Sequence, residues 1–269
     1  MQSWRSAAFV SAGLAFIAST SDCNAVPAAP PPPKEISALA AQYDAVSGQL
    51  DAQTARAIFT QTQPLQRVLR SFTGLRFFRD IIDDATSISP NAASALDVQG
   101  SIEAHSPCPG WTDDPSPDDA TQGFIDVTIG VEETRVQRAF MGEATRCQFV
   151  TQQAGTKLNV VATMDLQVDL GGDIGLGETA PAILVRATNA TGTVDGVALD
   201  LQQRVLSFRL ERDGSIETLV DLTALDPDLR GSALLALRSD GTWSLRTRQG
   251  EWVCDAAGSA PCTQGSAAS

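Results

Sequence analysis

The segment 158–170, LNVVATMDLQVDL, sets the strongest constraint on the fold of this chain. Apolar residues fill every even position, and polar residues fill every odd position except Val161. A two-residue period places alternate side chains on opposite faces of a β-strand, so one face is buried and the other is wet. A strand of this length is typical of a curled sheet, and we predict that Met164 and the other even-numbered residues point into a core.

Similar alternation recurs through residues 123–254 and predicts an antiparallel meander of about eight or nine strands. Three Asp-Gly pairs mark hairpins within it. A three-residue loop with a left-handed glycine keeps apolar residues opposite each other across the turns at Gly214 and Gly241. With this loop at all three turns, the predicted pairs are Leu210 with Ile216, Leu237 with Trp243, and Thr193 with Val197.

Residues 35–84 change to a helical period and form a predicted helical segment. Gly48 is expected to end the first helix and Asp51 to cap the second. In 65–82 the apolar residues form two opposed stripes, which predicts a break near Thr73-Gly74. These patterns together predict an α+β protein in which the N-terminal helical segment packs on a curled sheet or half-barrel.

Residues 1–25 have the layout of a secretory signal peptide, in which Arg5 precedes a short apolar run. Cleavage after Ala25 would release a mature protein, whereas lipidation of Cys23 would anchor it. The proline-rich residues 26–34 predict an extended spacer. This layout resembles that of bacterial secreted proteins and lipoproteins. We therefore expect an exported protein that is periplasmic, anchored to the outer membrane or secreted.

Four cysteines remain when Cys23 is set aside, and an even number in an exported chain predicts two disulfides. Pairing of neighbours in the sequence gives Cys108–Cys147 and Cys254–Cys262, although three connectivities are open. No Cys-x-x-Cys spacing occurs, which argues against a zinc site. We predict no metal and no cofactor.

Residues 85–122 show no sustained period and predict an irregular connection that Cys108 tethers. This connection contains His105, the only histidine, and the acidic run 113–119, both interpreted as exposed loop residues. Residues 255–269 are small and polar and predict a flexible tail. Elsewhere, the helical segment carries the one basic cluster, which is interpreted as a solvated helix face or a patch for an acidic partner or lipid headgroups. Its members are Arg67, Arg70, Arg76 and Arg79.

Charge and motifs exclude more functions than they identify. A net charge of −13 argues against nucleic acid as a partner. A single histidine and the lack of a Gly-x-Ser-x-Gly elbow argue against Ser-His-Asp catalysis. We therefore interpret the chain as a non-enzymatic binding or interaction module with no catalytic residues. Its expected partner is an apolar small molecule held between helices and sheet, or a cell-envelope protein, and it meets a membrane only through a lipid anchor.

Two alternatives remain open at this stage. A carboxylate-based hydrolase acting outside the cytoplasm would need two facing acids, and their separation is a property of the folded chain. Strands of about ten residues also fit an outer-membrane barrel. Against the barrel stand the short hairpin loops, the few aromatic residues and the end of the chain at Ser269.

Overall fold

The computed structural model describes residues 33–72, 99–107, 123–132, 135–153, 156–175, 178–194, 196–201, 206–255 and 260–265. The sequence predictions for the signal peptide and Cys23 lie outside the described residues. The protein is mostly antiparallel sheet with a few helices. The helices are α1 (Lys34–Asp44), α2 (Ala52–Gln61), α3 (Gln63–Phe72) and α4 (Leu222–Leu225). None of these described helices is long and apolar enough to cross a membrane.

One 14-stranded sheet contains all the described strands. The strands are β1 (Gln99–Pro107), β2 (Phe124–Glu132), β3 (Arg135–Val136), β4 (Ala139–Gln153), β5 (Thr156–Asp169), β6 (Ile174–Gly175), β7 (Ala182–Val194), β8 (Val197–Leu201), β9 (Leu206–Glu211), β10 (Ile216–Asp221), β11 (Ser232–Leu237), β12 (Trp243–Thr247), β13 (Gly250–Cys254) and β14 (Thr263–Gln264). Their order is β14-β13-β12-β11-β10-β9-β7-β5-β4-β2-β3-β6, with β1 paired to β2 and β8 to β7. From β4 to β14 the chain runs as a meander of antiparallel neighbours. Strands β8 and β9 pair with different parts of β7. The short strand β6 leaves the meander and pairs with β3.

Two segments predicted to be irregular contain strands. Strand β1 lies inside the predicted connection 85–122 and pairs with β2 along its whole length. Its sequence lacks apolar alternation and so gave no strand signal. Backbone hydrogen bonds to β2, which need no particular side chain, hold this strand in the sheet. Strand β14 lies inside the predicted tail 255–269 and pairs with β13. A disulfide between Cys254 and Cys262 holds this pair together.

The hairpin registers test the loop predictions directly. Leu210 pairs with Ile216 and Leu237 with Trp243, so both three-residue loops are confirmed. Gly214 and Gly241 have the left-handed backbone that these loops require, with φ of 84° and 86°. The third prediction is wrong, since Val194 rather than Thr193 pairs with Val197. Only two residues connect these strands, and Asp-Gly is also well suited to a two-residue turn with positive φ.

The face of the sheet that carries Met164, here called the first face, forms the main core. Its described even-numbered β5 residues are buried, as the alternation predicts: Ala162, Met164, Leu166 and Val168. Helices α2 and α3 cover this face with Ile58, Phe59 and Leu69. The rings of Phe59 and Trp243 meet edge to face with centroids 6.2 Å apart, a preferred geometry for aromatic pairs.

The opposite face of the sheet, here called the second face, is not wet throughout. Helix α1 packs on it and buries Ile36, Ala40 and Tyr43. The sheet side of this contact consists of Ala139, Leu184 and Leu234. The prediction that one side of the sheet faces water is therefore wrong beneath α1. Strand β11 carries the reason, because its run of five apolar residues after Ser232 buries side chains on both faces.

The chain crosses from the second face to the first at Gly48. The Gly48 N–H donates to the carbonyl of Ser232, and the Gly48 carbonyl accepts from the N–H of Arg248. A Cβ at Gly48 would lie 2.4 Å from Leu222 Cδ1 and 2.7 Å from the Ser232 carbonyl oxygen. Gly48 was predicted to end the first helix, but α1 ends at Asp44. Its role is instead to let the chain pass close to the sheet.

Candidate functional site

Charged side chains gather on the second face at the C-terminal end of α1, with Arg209 at the centre. The guanidinium of Arg209 lies 2.8 Å from Glu217, 2.7 Å from Glu211 and 3.0 Å from Asp44. Only 12% of the Arg209 side chain is exposed. Burial alone would lower its pKa, but the neighbouring carboxylates, Glu217 foremost, raise the pKa above its ordinary value.

Strand alternation explains why these charges meet. The first face takes the apolar residues of β9, so Arg209 must project from the second face. The pairing of Leu210 with Ile216 then brings Arg209 directly opposite Glu217. The predicted pairing of Leu210 with Ile216 therefore also implies this ion pair.

The cluster continues across the sheet to Arg246 on β12. Glu217 Oε2 accepts a hydrogen bond from Arg246 Nη2 at 3.2 Å as well as from Arg209. Only 10% of the Glu217 side chain is exposed, so two guanidinium groups share one nearly buried carboxylate. We call this set the arginine network: Asp44, Arg209, Glu211, Glu217 and Arg246.

Glu211 is the member of the arginine network with the least favourable environment. Burial raises the pKa of its carboxyl above the ordinary value, and the charge of Arg209 only partly opposes this effect. On the neighbouring strands, Glu251 bonds to Arg238 and accepts from the Ser244 hydroxyl. Burial would raise the pKa of Glu251, but these two hydrogen bonds lower it overall. The two acids thus differ because burial and the like charge of Glu217 outweigh Arg209 at Glu211, whereas the contacts with Arg238 and Ser244 outweigh burial at Glu251.

Tyr43 fastens α1 to the sheet beside the arginine network. Its hydroxyl lies 2.9 Å from Ser207 Oγ and accepts from the Leu219 N–H at 3.2 Å. Arg209 Cζ lies 5.4 Å from the centroid of the Tyr43 ring, within cation–π range. The Tyr43 side chain is fully enclosed, at 1% exposure, so the last turn of α1 has a fixed position.

The burial of Tyr43 predicts an unusual alkaline titration. Burial raises its pKa from the ordinary 10.0 to about 12. Because the folded state favours the neutral phenol, this stabilisation is complete below pH 10 and is lost as the pH rises to 12, a loss of about 2.5 kcal/mol. Tyr43 is the only tyrosine, so phenolate absorbance reports this group alone.

The measurement is a spectrophotometric titration of the native protein beside the same chain in denaturant. We expect the native curve to lie well above the denatured curve in pH. The Tyr43→Phe variant should show no phenolate signal and no such pH dependence of its stability. Coincident native and denatured curves would show that the ring is solvated.

A cleft opens next to Tyr43, with a volume of about 320 Å³. Its walls are formed by Tyr43, Asp44, Val46, Arg209, Arg246 and Thr247. The volume falls at the lower end of the range for small-molecule sites, roughly 300–1,000 Å³. Three charged residues and Thr247 line the cleft, so it is more polar than most small-molecule sites, which are lined chiefly by apolar side chains.

Two cleft residues have hydrogen-bonding capacity to spare. The Arg246 side chain is 42% exposed, and among the described residues its one hydrogen bond goes to Glu217. The Asp44 side chain is 71% exposed, and one of its oxygens accepts from Arg209. The cleft therefore presents a guanidinium and a carboxylate to a ligand.

The other sequence predictions have mixed outcomes. The Cys254–Cys262 disulfide is present, and Cys147 is disulfide-bonded, while its predicted partner Cys108 lies outside the described residues. His105 lies in β1, opposite Asp126 on β2, and not in an irregular loop. The acidic run 113–119 lies outside the described residues.

Arg70 is the member of the predicted basic cluster whose side chain the structure describes. Arg70 lies over the Trp243 ring, with Cζ 5.6 Å from its centroid. Its hydrocarbon stem and charge therefore support the first-face core. The side chain of Arg67 and the whole of Arg76 and Arg79 lie outside what the structure describes, so the solvated helix face stays a prediction.

Three acids face each other across neighbouring strands of the second face. Asp126 pairs with Glu143, and Glu143 pairs with Asp165. Like charges directly opposite in a sheet destabilise it. In the described part of the chain, no group of three or more His, Cys, Asp and Glu residues is placed to hold a metal ion. The side chains of this acidic row are exposed.

We expect Glu143→Gln to raise the free energy of unfolding by about 0.5 kcal/mol, since it removes repulsion from both neighbours. The gain should shrink at high salt, because these side chains are exposed. Urea unfolding at low and high salt measures both effects. Asp228→Asn, an exposed acid in a turn, is the matched control. A loss of stability in Glu143→Gln would show that this carboxylate stabilises the sheet.

Comparison with known proteins gives no identification: no family model, no curated protein and no solved structure matches the chain. What the fold and the cleft define is a class, an antiparallel sheet with helices against both faces and a polar cleft at the end of one helix.

Proposed function

We propose that this chain is an exported, non-enzymatic binding module that takes a small polar ligand in the cleft beside α1. The observation that supports the proposal is the arginine network. Arg209 fixes the end of α1 and forms ion pairs with the acids around it. Arg246 and Asp44 keep hydrogen-bonding groups available at the cleft wall. A rigid frame that holds a few unmatched polar groups is typical of a binding site.

Export is supported by the disulfide between Cys254 and Cys262. Structural disulfides persist in oxidising compartments, and the N-terminal layout of the sequence agrees with such a destination. We further propose that Cys108 and Cys147 form the second bridge. Peptide mapping of the non-reduced exported protein tests both statements. Recovery of Cys147 linked to any other cysteine, or a full-length product in the cytoplasm, would contradict them.

An apolar ligand between helices and sheet is the less favoured version of the proposal. The described helix–sheet contacts are filled by the protein's own side chains, with Phe59 against Trp243 on the first face and Ile36 in the second-face cluster. Solvent extraction of the purified protein followed by mass spectrometry tests this version. A stoichiometric lipid in the extract would favour it over the cleft.

A carboxylate-based hydrolase is the second candidate, and the raised pKa of Glu211 favours it. A general acid must keep its proton at working pH, and a raised pKa serves that purpose. However, Arg209 contacts both Glu211 and Glu217, and this bridging charge stabilises their ionised forms. Hydrolysis predicts that Glu211→Gln abolishes turnover of the bound molecule. A binding module predicts that the ligand is recovered unchanged from the wild-type protein.

The experiment for the cleft is an amide chemical-shift map of the mature chain against a library of small metabolites. We expect the perturbed amides to centre on Val46, Arg246 and Thr247, which line the cleft. A clean spectrum with every polar class, or perturbations confined to the helix–sheet interior, would overturn the proposal.

A further inference from the structure

We infer that the ligand of the cleft is a small zwitterion of the amino-acid class, with its carboxylate on Arg246 and its ammonium on Asp44. This inference rests on the proposed binding function. It follows from the charge balance of the arginine network, the unused donors and acceptors of the two residues, and the size and lining of the cleft.

The charge balance disfavours a dianion. The arginine network contains three carboxylates, on Asp44, Glu211 and Glu217, against the two guanidinium groups of Arg209 and Arg246. The set is therefore anionic by one charge, and a phosphate group would meet repulsion from it. A ligand with no net charge, but with separated charges, has no such penalty.

Arg246 offers the carboxylate site. It donates from Nη2 to Glu217 and so uses one of the five N–H donors of a guanidinium. The Arg246 side chain is 42% exposed and lines the cleft, so donors of its guanidinium remain for a ligand. Arginine binds carboxylates best through two parallel N–H donors. Thr247, the next residue of β12, lines the same cleft.

Asp44 offers the ammonium site. Its Oδ1 accepts from Arg209 Nη1 at 3.0 Å, and Oδ2 has no hydrogen bond within the described residues. Asp44 is also the last residue of α1, where the helix dipole places partial negative charge. The carboxylate and the dipole act together on a positive group.

The size and lining of the cleft limit the rest of the ligand. A volume of about 320 Å³ admits a single amino acid or a very short peptide. Val46 supplies the exposed apolar part of the wall, since Tyr43 behind it is enclosed, and a short aliphatic side chain can pack against Val46. A polymer or a bulky glycan would have to remain outside.

The test is an NMR titration of the full mature protein with four probes. L-leucine carries both charged groups, 4-methylpentanoate lacks the ammonium, 3-methylbutylamine lacks the carboxylate, and inorganic phosphate is the dianion. We expect L-leucine to shift the amides of Val46 and Thr247 and to bind about tenfold more tightly than either analogue, since each loses one charge-assisted contact.

Two variants assign the contacts. Arg246→Gln and Asp44→Asn should each weaken L-leucine binding about tenfold. The matched controls are Arg248→Gln, an exposed arginine two residues further on, and Asp228→Asn in a turn. Neither control lines the cleft, so both should bind as the wild type does. The alkaline titration of Tyr43 confirms that each variant keeps α1 in place.

The outcomes separate this inference from the function on which it rests. If phosphate or a sugar shifts the cleft amides and L-leucine does not, the inference of a zwitterionic ligand is overturned while the proposed binding function stands. Equal affinity for L-leucine and 4-methylpentanoate would overturn the role of Asp44. Unchanged affinity in Arg246→Gln would overturn the carboxylate contact. If no probe and no member of the metabolite library shifts the cleft amides, both proposals are overturned.

Discussion

Replacement of Gly48 by valine is expected to lower the free energy of unfolding by about 4 kcal/mol, the range of severe overpacking. A Cβ at this position would lie within 2.7 Å of a backbone oxygen of Ser232 and closer still to Leu222. The Ser232 oxygen cannot retreat without breaking its hydrogen bond to Gly48 or the start of β11. The loss of stability should therefore come from the steric clash where the chain passes the sheet at Gly48, and not from helix propensity.

Gly172→Val is the matched control for this prediction. A Cβ at Gly172 would meet nothing within 4 Å, so we expect its effect to stay within about 0.5 kcal/mol. Urea unfolding of both variants gives the comparison. A mild effect in Gly48→Val, no larger than that of the control, would mean that the chain passes from α1 to α2 along some other path.

Replacement of Arg209 by alanine is expected to cost about 3 kcal/mol of stability. Removal of one partner leaves the nearly buried carboxylate of Glu217 with only its 3.2 Å hydrogen bond to Arg246. Breaking a buried ion pair in this way typically costs about 3–5 kcal/mol, and we take the low end because water reaches part of the network. The cation–π contact with Tyr43 is lost as well.

A second substitution in the same background tests the cause. Glu217→Gln added to Arg209→Ala should restore about half of the loss, since a neutral amide tolerates burial better than an unpaired carboxylate. Arg212→Ala, an exposed arginine in the following turn, should change stability by less than about 0.5 kcal/mol. If Arg209→Ala resembles this surface control, the network does not hold α1 on the sheet.

Local patterns predicted the parts of the fold that local physics determines. The two-residue period of β5 correctly placed Met164 and the other even-numbered residues in the core, because alternate side chains of a strand point to opposite faces of the sheet. The two hairpins at Gly214 and Gly241 were correct because a shift of one residue would have opposed apolar and charged side chains.

The prediction of a wet second face is wrong because β11 departs from simple alternation. Strand β11 has no polar residue after Ser232, which is the pattern of a strand buried on both sides. The stripe of α1 that contains Ile36 and Tyr43 needs an apolar partner, and Leu234 supplies it. Matching these two features would have placed α1 on this face.

The cleft was beyond local patterns for a different reason. Asp44 and Arg209 are 165 residues apart, and their contact depends on where α1 docks across the meander. Arg209 and Glu217 were predictable from the hairpin register, but nothing in the sequence near Arg246 shows that it joins them. Long-range polar contacts of this kind follow from the tertiary fold.

Methyl NOEs in the selectively labelled mature protein measure whether α1 and α2 lie on opposite faces of one sheet. We predict NOEs from Ile36 to methyl groups of the second-face set, which includes Ala139, Leu184 and Leu234. Ile58 should instead contact first-face methyl groups such as Leu235 or Leu245. NOEs from Ile36 to Leu235 or Leu245 would place both helices on one face and contradict the account.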